Sequence, residues 1–156
     1  MENKNNKTVV EQPEVLVVED DLFFSVRIET TLKRLGYGVQ VVVNGAAAVA
    51  RAAQHPPALV IVNFGSAKLT PGEVVKQLKA LPHPAPVLGF VSHKWIPQVR
   101  PNALAAGVDL LVANSALSMR LPQLVARLAP LDGSAVNMQA AAQVADDAEE
   151  EPSGAH

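Results

Sequence analysis

At 156 residues, 49 % apolar and 18 % charged, the chain has room for one domain with a hydrophobic core plus polar ends, and its composition is globular. It has no cysteine, which excludes disulfides and thiolate metal sites, and no run of eighteen apolar residues, which excludes a helical membrane span. The formal charge of −2 is unevenly spread: residues 13–130 hold 11 basic and 7 acidic side chains, whereas residues 131–156 hold 6 acids and no base.

Residues 1–12 are polar, lack the apolar segment of a secretory signal and read as a disordered lead, so the expectation is a soluble, cytoplasmic protein. Glu14 to Val18 is a short apolar strand stopped by Glu19-Asp20-Asp21. A helix follows with Phe24, Ile28, Leu32 and Leu35 on one stripe, and Gly36 is placed to end it. Gly38 to Val43 is a second strand, and Asn44-Gly45 turns the chain into a small-residue helix, Ala46 to Ala53.

Pro56 and Pro57 stop that helix, and Ala58 to Phe64 forms the central strand. Its apolar run does not alternate, so both faces must be covered, as in a parallel sheet between helices. Thr70-Pro71-Gly72-Glu73 predicts a capping box opening a helix through Val74, Val75 and Leu78. Pro82, Pro84 and Pro86 stiffen the connection into a fourth strand, Val87 to Val91. Because proline inside a helix costs roughly 3 kcal/mol, Pro97 and Pro101 reduce the expected fourth helix to a stub over residues 101–106, ended by Gly107. A fifth strand spans Val108 to Val112, and Pro122 delays the last helix until about Arg120 or Leu121.

Five strands alternating with five helical segments predict a doubly wound, parallel α/β sheet over residues 13–129. Residues 130–156, rich in alanine and acids, read as a disordered tail with at most a weak helix between Val136 and Ala148.

In such a sheet the carboxyl ends of the strands share one edge, where ligand sites form. Glu19 and Asp20 end the first strand, Asn63 the third and Ser92 the fourth, and Asn114 follows the fifth. Here the chain resembles the receiver domain of bacterial two-component response regulators over residues 14–128. Val15-Leu16-Val17-Val18-Glu19-Asp20-Asp21 is like that family's first strand and acidic pair. The intervals to Asn63, Ser92 and Asn114 match those of its phospho-acceptor, hydroxyl and lysine, and Gly107-Val108-Asp109 matches its Gly-Ala-Asp. The resemblance implies a flavodoxin-like, CheY-like fold with strand order 2-1-3-4-5 and helices on both faces. It also implies that Glu19 and Asp20 correspond to the Mg²⁺-holding pair and Ser92 to the hydroxyl.

Two positions depart from the family. Asn63 stands where the family has its acceptor aspartate, and Asn114 where it has its lysine. An amide oxygen cannot form an acyl phosphate. Loss of one carboxylate lowers the need for a balancing cation and weakens Mg²⁺ binding without forbidding it. The expectation is a degenerate pseudo-receiver that is no enzyme and acts as a phosphorylation-independent protein-interaction module in a two-component or phosphorelay-type system. Its partner would be a signalling or regulatory protein, or a second copy. The alternatives are a residual switch binding Mg²⁺ or a phosphate-like anion at Glu19, Asp20, Ser92 and Asn114, and, more weakly, a nucleic-acid-associated regulator using the basic body.

Each site residue also has a plainer reading. Asp20 or Asp21 could serve as a helix cap. Ser92-His93 lacks a third partner for nucleophilic chemistry, and His55, His83, His93 and His156 lack ligand spacing. Trp95 and Ile96 are either a partner-binding anchor or a lid folded over the core edge. The acidic tail is either a solubilising appendage or a screen folded onto the basic body until a partner displaces it.

Overall fold

The computed structural model describes residues 12–149. The five strands are β1 (Glu14–Val18), β2 (Gly38–Val42), β3 (Leu59–Asn63), β4 (Val87–Val91) and β5 (Leu110–Ala113). They form one parallel sheet in the order β2-β1-β3-β4-β5, as the resemblance implied. In register, Val18 pairs with Val62 and Asn63 with Phe90, which aligns the carboxyl ends of the central strands. Every residue of β4 and the first four of β3 are buried, so the unbroken apolar runs are covered on both faces.

Six helices follow the strands: α1 (Leu22–Leu35), α2 (Gly45–Gln54), α3 (Pro71–Lys79), α4 (Ile96–Ala106), α5 (Asn114–Leu128) and α6 (Met138–Glu149). Asp21 caps α1 by accepting the Phe24 N–H at 3.1 Å, and Asn44 caps α2 by accepting the Ala47 N–H at 2.8 Å. Gly36 and Gly107, both in the left-handed region, end α1 and α4. On α1 the buried residues are Ser25, Ile28 and Leu32, while Leu35 lies at the surface instead of on the core stripe.

The structure corrects four expectations. At α3, Pro71 opens the helix, but Thr70 adopts φ +43° and its hydroxyl turns back to the Leu69 carbonyl, so no capping box forms. A 3-10 turn, Ala67–Leu69, delivers the chain in that left-handed conformation. Helix α4 is three turns long instead of a stub. Pro97 sits in its first turn, where the missing N–H is unpaired in any helix, and Pro101 then removes one interior hydrogen bond. Helix α5 starts directly at Asn114, and the backbone breaks from helical values at Arg120, two residues before Pro122. The expected late start is therefore the second half of a broken helix.

The fourth correction concerns the tail, where the helix allowed between Val136 and Ala148 is present but packed on the domain instead of lying in a disordered segment. Residues 138–149 form α6, which packs along α5 and against β5, with Ala141 and Ala145 buried. The alanines that argued against a core let this helix lie close to its neighbour. The proposed lead, apart from Gln12, and the acids after Glu149 lie outside the described residues.

Two polar ties hold the amino end of the sheet. Asp109 accepts hydrogen bonds from Lys79 Nζ and the Val87 N–H, both at 2.8 Å, joining α3 to the starts of β4 and β5. Buried Tyr37, entering β2, donates its hydroxyl to the Ala129 carbonyl at 2.8 Å beyond the end of α5. Tyr37→Phe leaves that carbonyl without its donor and should lower the unfolding free energy by about 1–2 kcal/mol. Urea denaturation of both proteins measures the difference, and an unchanged midpoint would show that the tie adds nothing.

Candidate functional site

The alignment of β1 with β3 decides what meets at the carboxyl edge of the sheet. Glu19, one residue past β1, is 0 % exposed, and Asn63, the last residue of β3, lies beside it. The Asn63 amide Nδ2 donates to both carboxylate oxygens of Glu19, at 3.1 Å to Oε1 and 2.9 Å to Oε2. The Asp21 N–H adds a third donor, 3.0 Å from Oε2. On its other side, Asn63 Oδ1 accepts the Gly65 N–H at 2.6 Å. The amide thus uses its donor on β1 and its acceptor on its own loop.

An ionised carboxylate withdrawn from water is expensive unless donors compensate it. Burial pushes the Glu19 carboxyl above the ordinary carboxylate range, the hydrogen bonds from Asn63 and the Asp21 N–H oppose that rise, and the nearby charges of Asp20 and Asp21 add to it. Asp20 is exposed and accepts the Ser66 hydroxyl at 2.8 Å. Ser66 has no signal in the sequence, since a loop serine two residues beyond a strand is unremarkable. The edge-on ring pair Phe24–Phe90, 5.2 Å between centroids, packs nearby, joining α1 to the partner residue of Asn63 on β4.

The remaining predicted residues are less closely joined. Ser92 follows β4, half-buried, and its carbonyl accepts the Trp95 N–H of a 3-10 turn, His93–Trp95. Asn114 opens α5 and lines a separate cavity of about 250 Å³ with Asp21, Phe23, Phe24, Arg27 and Ser118. Its Oδ1 is buried without a hydrogen-bond partner. Trp95 is 47 % exposed with Lys94 Nζ 5.5 Å from its ring centroid. Ile96 is only 6 % exposed and belongs to the core, because the first turn of α4 points it inward, so of the expected surface pair only Trp95 qualifies. A second exposed apolar group was overlooked: Leu22, Phe23 (80 % exposed) and Val26 on α1, all off the core stripe at 24, 28 and 32.

The donor set does not suit a divalent cation as arranged. Both Glu19 oxygens already face N–H donors, Asp20 is engaged by a hydroxyl, and no three His, Cys, Asp or Glu side chains among the described residues group to hold a metal. His55, His83 and His93 are dispersed at the surface. A concavity of about 1030 Å³ lies at the opposite end of the sheet among Pro13, Glu14, His55, Ala58 and Leu131, away from these residues.

No family model matches the sequence, and no curated protein does. Solved structures do match. The chemotaxis response regulator CheY4 of Vibrio cholerae superposes with a TM-score of 0.68 at 20 % identity, covering 75 % of this chain and 98 % of that one. The receiver domain of the sensor histidine kinase PA1611 from Pseudomonas aeruginosa, which holds a magnesium ion in its active-site cleft, gives 0.64 at 22 % identity over 75 % and 97 %. A CheY-like receiver domain from Methylobacillus flagellatus gives 0.63 at 18 % over 74 % and 97 %. The fold of this chain is that of a CheY-like response-regulator receiver domain.

Proposed function

We propose that the chain is a response-regulator-like protein-interaction module whose surface is not switched by phosphoryl transfer. The observation that carries this reading is the Asn63–Glu19 contact. An amide at the acceptor position has no carboxylate nucleophile, and its N–H group already hydrogen-bonds both carboxylate oxygens of Glu19. On this reading the chain is no enzyme and takes no metal. Its partner is a signalling or regulatory protein that reads the surface around Trp95, with Leu22, Phe23 and Val26 offering further apolar contact beside the pocket.

A second reading, a pocket that still takes a ligand, draws on Asn114 Oδ1, a buried acceptor without a donor. The nucleic-acid reading loses ground, because Lys33, Arg51, Lys76 and Lys79 are each engaged by an acid.

Amide NMR with Mg²⁺, then with Mg²⁺ and beryllium fluoride, separates the first two readings. Unmoved resonances at Asn63, Ser92 and Asn114 fit the unswitched module, whereas saturable shifts spreading toward Trp95 would refute it. Asn63→Asp replaces the donor with a like charge and should lower stability by roughly 2–4 kcal/mol. Its thermal midpoint should then rise with added Mg²⁺ while the parent's stays flat. A parent midpoint that rises equally would mean that the amide does not exclude the cation.

The raised Glu19 pKa has a definite sign in stability. The folded chain holds this proton more tightly than the unfolded chain, so stability falls as pH rises from the unfolded carboxylate range through the folded-state titration. The cost is complete above it. Glu19→Gln lacks this slope, so its stability advantage over the parent should shrink as the buffer is acidified. Urea unfolding from about pH 8 down to about pH 4 tests this; a constant difference would place the Glu19 titration at its unfolded value.

A further inference from the structure

Helices α1 and α5 both start at the carboxyl edge of the sheet and lie side by side. Phe24, Arg27, Ile28 and Thr31 line the furrow between them from α1, and Asn114, Leu117, Ser118 and Leu121 line it from α5. Both sets follow the i, i+3, i+4, i+7 spacing of the stripe that one helix offers to a neighbour. Such a stripe is ordinarily apolar. Here it carries an arginine on one helix and an asparagine and a serine on the other, and no acid of α5 lines the furrow opposite the arginine.

The fold makes no use of these three polar groups. Among the described residues, the side chains of Arg27, Asn114 and Ser118 make no hydrogen bond or ion pair, whereas Lys33 on the same helix is paired with Glu29. Phe23, beside them at the cavity, is left 80 % exposed. An unpaired guanidinium, two neutral polar groups and an uncovered ring around one cavity suit an anion with an apolar body. Asp21 also lines the cavity, so one acid faces one guanidinium and a dianion such as phosphate is disfavoured. Size narrows the choice further. A cavity of about 150 Å³ holds benzene, and this one measures about 250 Å³. Past Arg27, among Ile28, Leu117 and Leu121, the furrow closes to about 30 Å³, too small for an extended acyl chain.

We infer that the furrow between α1 and α5 is a binding site for a small monocarboxylate with an aromatic body. The Arg27 guanidinium offers the carboxylate two parallel N–H donors, and Ser118 and the Asn114 amide add neutral ones. The ring of the ligand covers Phe23 and meets Phe24 at the wall. The site shares no residue with the Asn63–Glu19 contact, and the inference holds whether or not phosphoryl transfer switches the surface.

Amide NMR of the full chain with sodium benzoate as the probe tests this. Saturable shifts at Phe23, Arg27, Asn114 and Ser118, with Asn63 and Ser92 unmoved, are expected at millimolar benzoate. Acetate, which has no ring, should bind at least ~10-fold more weakly. Phosphate at matched ionic strength should leave these amides in place. Arg27→Gln removes the charge at an exposed position, so the chain should keep its folded spectrum and bind benzoate at least ~10-fold more weakly. Arg34→Gln, also exposed on α1 but outside the furrow, should bind as the parent does. Absence of saturable shifts up to ~50 mM benzoate would overturn the site. So would an equal response to phosphate, shifts confined to the far end of the sheet around His55 and Leu131, or undiminished binding by Arg27→Gln.

Discussion

A carboxylate buried at the end of a central strand must be answered by donors, and in this protein most of the answer comes from one side chain. Glu19 receives both of its side-chain hydrogen bonds from the Asn63 amide. Because an amide carries donor and acceptor together, the same group reaches back to the Gly65 N–H and fixes the turn after β3. A carboxylate at position 63 could make only the second of these contacts and would set two negative charges side by side. The geometry at the sheet edge is thus neutralised from within, and the loop carrying Ser66 is held to Asp20 as part of the same arrangement.

Much of the fold was legible because single local signals agreed with one another. Val15 to Val18 and Leu59 to Val62 are unbroken apolar runs, Asp21 and Asn44 are caps of the preferred types, and Gly36 and Gly107 end helices in the left-handed region, which other residues adopt only with strain. The errors arose where a residue's cost depends on its position within an element. Pro97 and Pro101 carry the full interior penalty only if both lie inside the helix, and Pro97 lies in its first turn. Pro122 fits a first helical turn and so predicts a late start, whereas the helix begins at Asn114 and breaks at Arg120 to admit the proline.

The site was readable in outline and not in contact. Strand order brings Glu19 and Asn63 together, and that follows from a parallel sheet alone. That Asn114 lines a different cavity, and that Ile96 turns into the core, depends on where the first turns of α5 and α4 point, which strand spacing does not specify. The order of the tail through Glu149 is hidden in the sequence for a related reason. Alanine content says that a segment cannot build a core of its own, but it does not say whether the segment can lie flat against one that exists. Ala141 in α6 is as wholly buried as Leu124 in α5, so a small side chain can be packed as completely as a large one.

The break at Arg120 has a mechanical consequence. A straight helix from Asn114 to Leu128 would act as a rigid lever, carrying a tilt at the carboxyl edge of the sheet to the Tyr37 hydroxyl bond at the far end. A helix broken at its middle transmits torque poorly, so its two halves can settle independently. Helix α6 packs along this helix and against β5. A tilt imposed at Asn114 is therefore taken up at Arg120 before it reaches the Tyr37 hydroxyl bond.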